Sequence, residues 1–249
     1  MNSVSRVVTD FNLCFWNLNG VKNKFMLDLT NSVIQSSDVL IITETHFNKR
    51  TKCPNNFILV ESSPPVESKR PRGGVAIYKK IHCSLQFVTL LNLPDCIVCE
   101  VLNTGIILIA IYIPPSTSPF FKEDYFDNLK SMLCYFTQHR TIYVLGDLNS
   151  RFGDMNQQNW RYQQNPDPTI NSNGQKLRNL LEEFPNMIIV NGLLHQSKTF
   201  DTNFTFSRGK LASQVDICLT NNITNTKNFM IQKKTVISDH NPVTMVISA

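Results

Sequence analysis

The chain has 249 residues, enough to bury a full core as one large domain or as two small ones. Hydrophobic residues at 42% and charged residues at 17% are ordinary for a globular protein and exclude a disordered chain. A net charge of +5 and a pI of about 8.8 permit a polyanionic partner without requiring one.

The N-terminus, MNSVSRVVTDFNL, lacks the unbroken apolar stretch of a signal peptide. Phe11–Trp16 reads as a strand, and Met26, Leu29 and Val33 form a first helical stripe. Val39–Thr43, Phe57–Val60, Gly74–Tyr78, Leu85–Leu90, Ile97–Leu102 and Ile106–Ile113 then read as strands, rich in β-branched and aromatic residues. The last of these is the most apolar run and is far too short to span a bilayer. The expectation is a soluble, intracellular protein with no membrane partner. Tyr125, Phe126, Leu129, Met132, Leu133 and Phe136 form a second helical stripe, followed by a strand at Ile142–Leu145. Leu177, Leu180, Leu181 and Phe184 form a third, with Asn173 as its N-cap. Met187–Val190, Gln214–Leu219 and Val243–Ile247 complete the strands.

Many strands and few helices predict an α/β protein, two sheets face to face with helices outside. No repeat or linker splits the chain, so one domain over 1–249 is expected. Two loops stand out as long and polar: Glu61–Arg72, Pro-rich and basic, and Arg151–Ser172, rich in Asn and Gln. The seven cysteines are scattered. Cys96 and Cys99 lie three apart on a strand and so on opposite faces, which suits buried free thiols better than a shared metal.

The chemistry sits at strand ends. FWNLNG places Asn17 at the end of the first strand, and IITETH places Glu44 just beyond a buried run. Tyr112 ends the run leading into Pro114–Pro115. VLGDLNS sets Asp147 and Asn149 two apart, on the same side if the backbone stays extended. SDHNPV supplies Ser238, Asp239 and His240. Taken singly, each suits a turn or a cap. Together they suit strands converging on one site, and hard oxygen donors without paired His or Cys favour Mg²⁺ over zinc.

The ordered set Asn17, Glu44, Tyr112, Gly146–Asn149, Thr205 in FTFS, Asp216 in VDI and Ser238–His240 resembles the endonuclease/exonuclease/phosphatase superfamily. WNLNG, ETH, IYIPPS, GDLNS and SDHNPV resemble its apurinic-type branch found in non-LTR (LINE-type) retrotransposons. The resemblance implies a four-layer α/β sandwich of the DNase I type, two mixed β-sheets flanked by helices. It implies a Mg²⁺-dependent endonuclease, with Mn²⁺ able to substitute, that nicks double-stranded DNA to prime retrotransposition in the nucleus. A reverse transcriptase would lie in cis, with this chain a domain excised from the larger protein. By position, Glu44 would be the main metal ligand, with Asn17 and Asp239 close by. Asp147 would position or deprotonate the attacking water, with Asn149 holding water and phosphate. His240, oriented by Asp216, would bind the phosphate, and Tyr112, Thr205 and Ser238 would lie along the DNA backbone. Whether Asp147 or His240 is the base stays open in the sequence.

Between Thr205 and Asp216, FSRGKLASQV reads as a β-hairpin whose tip spans Ser207–Ser213. Gly209 suits a positive φ there, and Arg208 and Lys210 offer cations to a narrow minor groove. Lys69, Arg70 and Arg72 are further candidate phosphate contacts. Rival readings are a phosphoinositide or sphingomyelin phosphodiesterase, a secreted DNase I-like nuclease, an RNA deadenylase, or an inactive DNA-binding module. No amphipathic membrane segment, signal peptide or cysteine pairing supports the first two, and the intact Glu44, Asp147, Asn149 and His240 oppose the last.

Overall fold

Strands that are apolar on both faces must be covered on both sides, and that requirement governs the architecture. The protein is described here from a computed structural model over residues 10–22, 24–26, 32–47, 53–64, 72–138, 140–153, 166–191, 204–232 and 236–249. Leu29, Lys69, Arg70 and residues 154–165 of the second long loop lie outside the described residues.

The first sheet has the order β13-β14-β1-β2-β4-β3. Its strands are β1 (Phe11–Asn17), β2 (Val39–Thr43), β3 (Phe57–Ser62), β4 (Val75–Lys80), β13 (Thr226–Ile231) and β14 (Val243–Ile247). The second sheet has the order β5-β6-β7-β8-β12-β9. It comprises β5 (Phe87–Leu93), β6 (Cys96–Val101), β7 (Ile106–Tyr112), β8 (Thr141–Asp147), β9 (Ile188–Ile189) and β12 (Asp216–Thr220). Both sheets are mixed: β1–β2 and β7–β8 pair in parallel, and their neighbours pair antiparallel. A separate hairpin joins β10 (Phe206–Arg208) to β11 (Leu211–Ser213).

Alternation along each strand sorts the side chains between layers. Phe11, Leu13 and Phe15 of β1 meet Leu108, Ala110 and Leu145 of the second sheet in the core between the sheets. Ile107, Ile109 and Ile111 face the other way, onto α1 (Tyr125–Phe136) and α2 (Ser172–Glu183). Trp16, Leu40 and Ile42 pack outward against Phe25 and Ile34. The result is the expected four-layer α/β sandwich. Cys96 and Cys99 fall in different cores, and all seven cysteines are free; Cys53 and Cys134 are exposed rather than buried.

Two local expectations need correction. The N-cap of α2 is Asn171, not Asn173; its side chain accepts from the Gly174 amide at 2.8 Å. Asn173 lies inside the helix, fully buried, donating to the carbonyls of Leu148 and Pro114. Second, the backbone does not stay extended from Asp147 to Asn149, which has φ 48°. The sequence marks no strand at β13, an edge strand whose bulge between Lys227 and Met230 breaks the alternation.

Candidate active site

Both parallel pairs, β1–β2 and β7–β8, end at the same edge of the sandwich. The antiparallel strands β12 and β14 begin there. Asn17, Tyr112 and Asp147 therefore close their strands beside Asp216, which opens β12 directly opposite Asp147. His240 precedes β14, and Glu44 follows β2. Chain topology alone brings six distant polar residues to one edge.

Local backbone chemistry sets their aim. Gly146 has φ 148°, and a Cβ there would lie 1.9 Å from the Ile111 carbonyl oxygen, so only glycine lets β8 approach β7 just before Asp147. Glu44, His46 and Asn149 are non-glycine residues in the left-handed region, a local cost that concentrates at functional sites. Backbone bonds hold the Glu44 segment on both sides: the Gly20 amide donates to the Glu44 carbonyl at 2.7 Å, and the His46 amide donates to that of Gly73 at 3.1 Å.

The side chains form one network. The Asn17 amide donates to Glu44 Oε1 at 2.9 Å and to Asp147 Oδ2 at 2.8 Å. Asp147 Oδ1 accepts from the Asn149 amide nitrogen of the backbone at 2.8 Å. His240 Nδ1 shares a 2.7 Å hydrogen bond with Asp216 Oδ2, and its Nε2 faces Asp147 Oδ2 at 3.9 Å. Trp16 Nε1 donates to the His240 carbonyl at 2.9 Å, and the Phe206 ring meets the imidazole edge-on at 5.0 Å between centroids.

Electrostatics separates the roles. Burial pushes the Asp147 carboxyl up to about 8, reinforced by the charges of Asp216 and Glu44 and opposed by His240. Burial alone would strip His240 of its proton, but the adjacent Asp216 outweighs it, with help from Asp147, and holds the imidazole protonated up to about 10. Burial opposes ionisation of Glu44, yet hydrogen bonds from His46 and Asn17 win and leave it below the usual carboxylate range. Burial and the carboxylates of Glu44 and Asp147 push the Tyr112 phenol far above its ordinary range, so it remains a donor.

Asp147, Asp216 and His240 present ligand atoms within 4.8 Å of one another, close enough to suggest a metal nest. A protonated imidazole bonded to Asp216 has no lone pair to offer, so this triad suits a hydrogen-bonded relay better. The ionised Glu44, with Asn17 and Asp147 beside it, is the better fit to a hard divalent cation. Asp239 stands at the same edge, 3.5 Å from the Asn19 amide.

Two residues differ from the expected DNA contact. Thr205 is fully buried, and its hydroxyl accepts from the amides of Val215 and Asp216 at 3.0 Å, which seats the start of β12. Ser238 is buried, donating to the Asn17 carbonyl at 2.8 Å and accepting from the His240 amide at 3.1 Å. Both hydroxyls brace the site from behind. Arg208 and Lys210 are exposed on the hairpin, and Gly209 has φ 60° as its turn requires. The turn is tighter than expected, with the strands paired up to Arg208 and Leu211. The hairpin is tied to the site: the Ser207 amide donates to the Asp239 carbonyl at 2.8 Å, and Phe206 bridges His240.

Sequence reasoning missed several participants. His46 Nε2 lies 3.3 Å from Glu44 Oε2. Lys24 is held by the carbonyls of Leu18 and Asn19, within reach of the charges on Asp239 and Glu44. The ETH motif contained the signal for His46. Nothing local marked Lys24 or the bracing role of Trp16.

A two-sheet sandwich with this polar edge is the architecture of the endonuclease/exonuclease/phosphatase superfamily of phosphodiesterases and nucleases. The chain belongs to the endonuclease-reverse transcriptase family, which it matches over residues 106–244. Solved structures share the fold. The endonuclease domain of TRAS1, a telomere-specific non-LTR retrotransposon, matches with a TM-score of 0.67 at 15% identity, covering 96% of this chain and 98% of that one. The AP endonuclease LMAP from Leishmania major matches with a TM-score of 0.73 at 13% identity, covering 100% and 93%. The 3'-5' exonuclease NExo from Neisseria meningitidis matches at 0.67 and 18% identity, covering 96% and 100%. No curated protein sequence matches the chain. Among the described residues no helix is long and apolar enough to cross a membrane.

Proposed function

We propose that the chain is a divalent-metal-dependent DNA endonuclease that nicks duplex DNA, acting as one domain in cis with a reverse transcriptase on nuclear DNA. The observation that carries this reading is the pair Asp147 and His240. A carboxylate with raised basicity faces a protonated imidazole at 3.9 Å, one beside Glu44 and the other held by Asp216. Family membership and the DNA hairpin bound by the NExo structure support DNA as the substrate.

Glu44 would hold Mg²⁺ or Mn²⁺, with Asn17 and Asp239 beside it. The bound ion supplies charge neutralisation at the scissile phosphate. Asp147 accepts the proton of the attacking water, which its raised basicity favours. Asn149 and Asn17 fix the carboxylate so that one oxygen faces the reaction. His240 donates Nε2–H to a non-bridging phosphate oxygen, where its stabilising charge strengthens as negative charge develops. Asp216 sits behind the ring and holds the Nδ1 proton in place through its 2.7 Å hydrogen bond. Tyr112 donates from the opposite side.

The test is supercoiled-plasmid nicking with Mg²⁺, with Mn²⁺ and with EDTA, using the unaltered protein, Asp147→Ala and His240→Ala. Either replacement should cut the rate at least about 10²-fold, while DNA affinity and folding change little. Full activity in EDTA, or wild-type rates in both variants, would overturn the reading.

A further inference from the structure

Asp95 is a buried carboxylate for which the mechanism above has no use. It stands in the turn between β5 and β6, is only 5% exposed, and has φ 61°. Burying a carboxylate is costly unless its oxygens are bonded, and both of these are. Oδ1 accepts from the Gly74 amide at 2.5 Å, and Oδ2 accepts from the Tyr125 hydroxyl, at the start of α1, at 3.1 Å. Burial raises the pKa of the carboxyl, opposed by those two donors. The backbone carbonyl of the same residue accepts from the Tyr112 amide at 2.8 Å. Asp95, Glu44 and Tyr112 also line one aromatic cavity of about 620 Å³, together with Phe120, Phe121 and Tyr125.

The partners of Asp95 belong to both sheets. Tyr112 closes β7 in the second sheet, whereas Gly73 and Gly74 lead into β4 in the first. These glycines in turn hold the residues that follow Glu44. The Thr45 amide donates to the Gly74 carbonyl at 3.2 Å, and the His46 amide donates to that of Gly73. One side chain thus closes a path from Tyr112 through Gly74 to the Glu44 turn. The fit is close, since a Cβ on Gly73 would stand 2.5 Å from Asp95 Oδ1. Glu44 needs such a hold, because its φ of 49° is unfavourable for a non-glycine residue. Apolar packing between the sheets carries no directional preference of its own. Yet a displacement of about 1 Å at a reacting group can cost on the order of 10²-fold in rate.

We propose that Asp95 is a positioning residue, which ties Tyr112 of one sheet to the Glu44 turn of the other and so aims the metal-binding carboxylate. The proposal rests on the endonuclease reading, with Glu44 as the main metal ligand. Asp95 acts through Gly74 and Thr45 and touches neither the ion nor the phosphodiester. Its role depends on acceptor geometry rather than on charge. Asparagine in its place keeps an oxygen for the Gly74 amide, turns its NH₂ to the Tyr125 oxygen and tolerates the left-handed backbone. Glycine keeps the backbone unstrained but removes both side-chain ties.

The experiment measures Mn²⁺ binding to the DNA-free protein, from the electron paramagnetic resonance signal of the free ion, beside plasmid nicking. Asp95→Gly should weaken Mn²⁺ binding about tenfold and lower kcat at least about tenfold with KM for DNA little changed, the scale of losing an outer partner of a metal ligand. Asp95→Asn should restore both to within about twofold of wild type, because both ties re-form. Tyr125→Phe, which keeps the ring and frees only Oδ2, should move both readouts the same way by about threefold, the scale of one hydrogen bond. Rates and affinities are referred to the folded fraction from thermal melts, so a loss of stability alone moves neither. Mn²⁺ affinity and kcat within about twofold of wild type in folded Asp95→Gly and in Tyr125→Phe overturn the proposal. So does an Asp95→Asn as impaired as Asp95→Gly. If Asp95→Gly does not fold, Tyr125→Phe decides on the same two readouts. Failure of the unaltered protein to nick any duplex overturns the endonuclease reading, and Mn²⁺ binding then decides alone whether Asp95 aims Glu44.

Discussion

Replacing Asp216 with Asn should turn His240 from a phosphate-binding cation into a neutral ring. Nδ1 of His240 and Oδ2 of Asp216 are 2.7 Å apart, both buried. The rise of the imidazole from 6.5 to about 10 corresponds to about 5 kcal/mol favouring imidazolium, at 1.36 kcal/mol per pH unit. Burial works against that proton, and Asp216 is the main group opposing burial. In Asp216→Asn the remaining support is Asp147 at 3.9 Å and the weaker pull of Asp239, set against burial, so the ring should titrate at or below its ordinary range. Because the folded pKa is raised, the protonated ring contributes stability that is fully present below about 6.5 and is lost as pH rises through about 10. Nitrogen-detected NMR of the metal-free protein reads the titration, and plasmid nicking against pH reads its consequence. The variant should nick at least about 10²-fold more slowly at pH 7.5 and regain part of that loss at pH 6, where the imidazolium returns. An unaltered protein whose His240 titrates near 6.5, or a variant with full activity at pH 7.5, would refute the reasoning.

Glu44→Gln removes the ionised oxygen donor, so the Mg²⁺ concentration giving half-maximal nicking should rise at least about tenfold, the smaller of the losses seen when metal sites are disturbed; an unchanged metal titration would place the ion elsewhere. Replacing Arg208–Leu211 with Gly and Ser should redistribute cuts on a mapped plasmid while keeping the nicking rate, because the tip is exposed and only the hairpin base touches Asp239 and His240; an identical cut map would move target choice off the hairpin. Gly146→Ala forces a Cβ against the Ile111 carbonyl at a positive φ, so thermal melting should show a loss well beyond about 1 kcal/mol; an unchanged melting temperature would contradict that contact.

Asp147 and His240 show how far one-dimensional pattern reaches. Period-two and continuous apolar runs marked eleven strands, because a strand covered on both faces can only be built from residues such as those in IILIAIY. The order of polar residues at strand ends was equally plain, since each sits next to an apolar run whose own burial has to end there. Distances were not. Glu44 and His240 are almost 200 residues apart, and what unites them is that two parallel pairs end where β12 and β14 begin. That coincidence belongs to sheet order, which no local spacing encodes. The same limit explains Thr205 and Ser238: their hydroxyls match a phosphate-binding pattern, but burial turns them inward onto backbone amides and a carbonyl. It also explains Asn173, which looked like a cap until packing gave that place to Asn171. Composition and periodicity settled the layers, because burial is a property of runs of residues. The protonation of His240, the bracing by Trp16 and the aromatic cavity beside Tyr112 required the folded chain, because each depends on a charge, a carbonyl or a ring from a distant element.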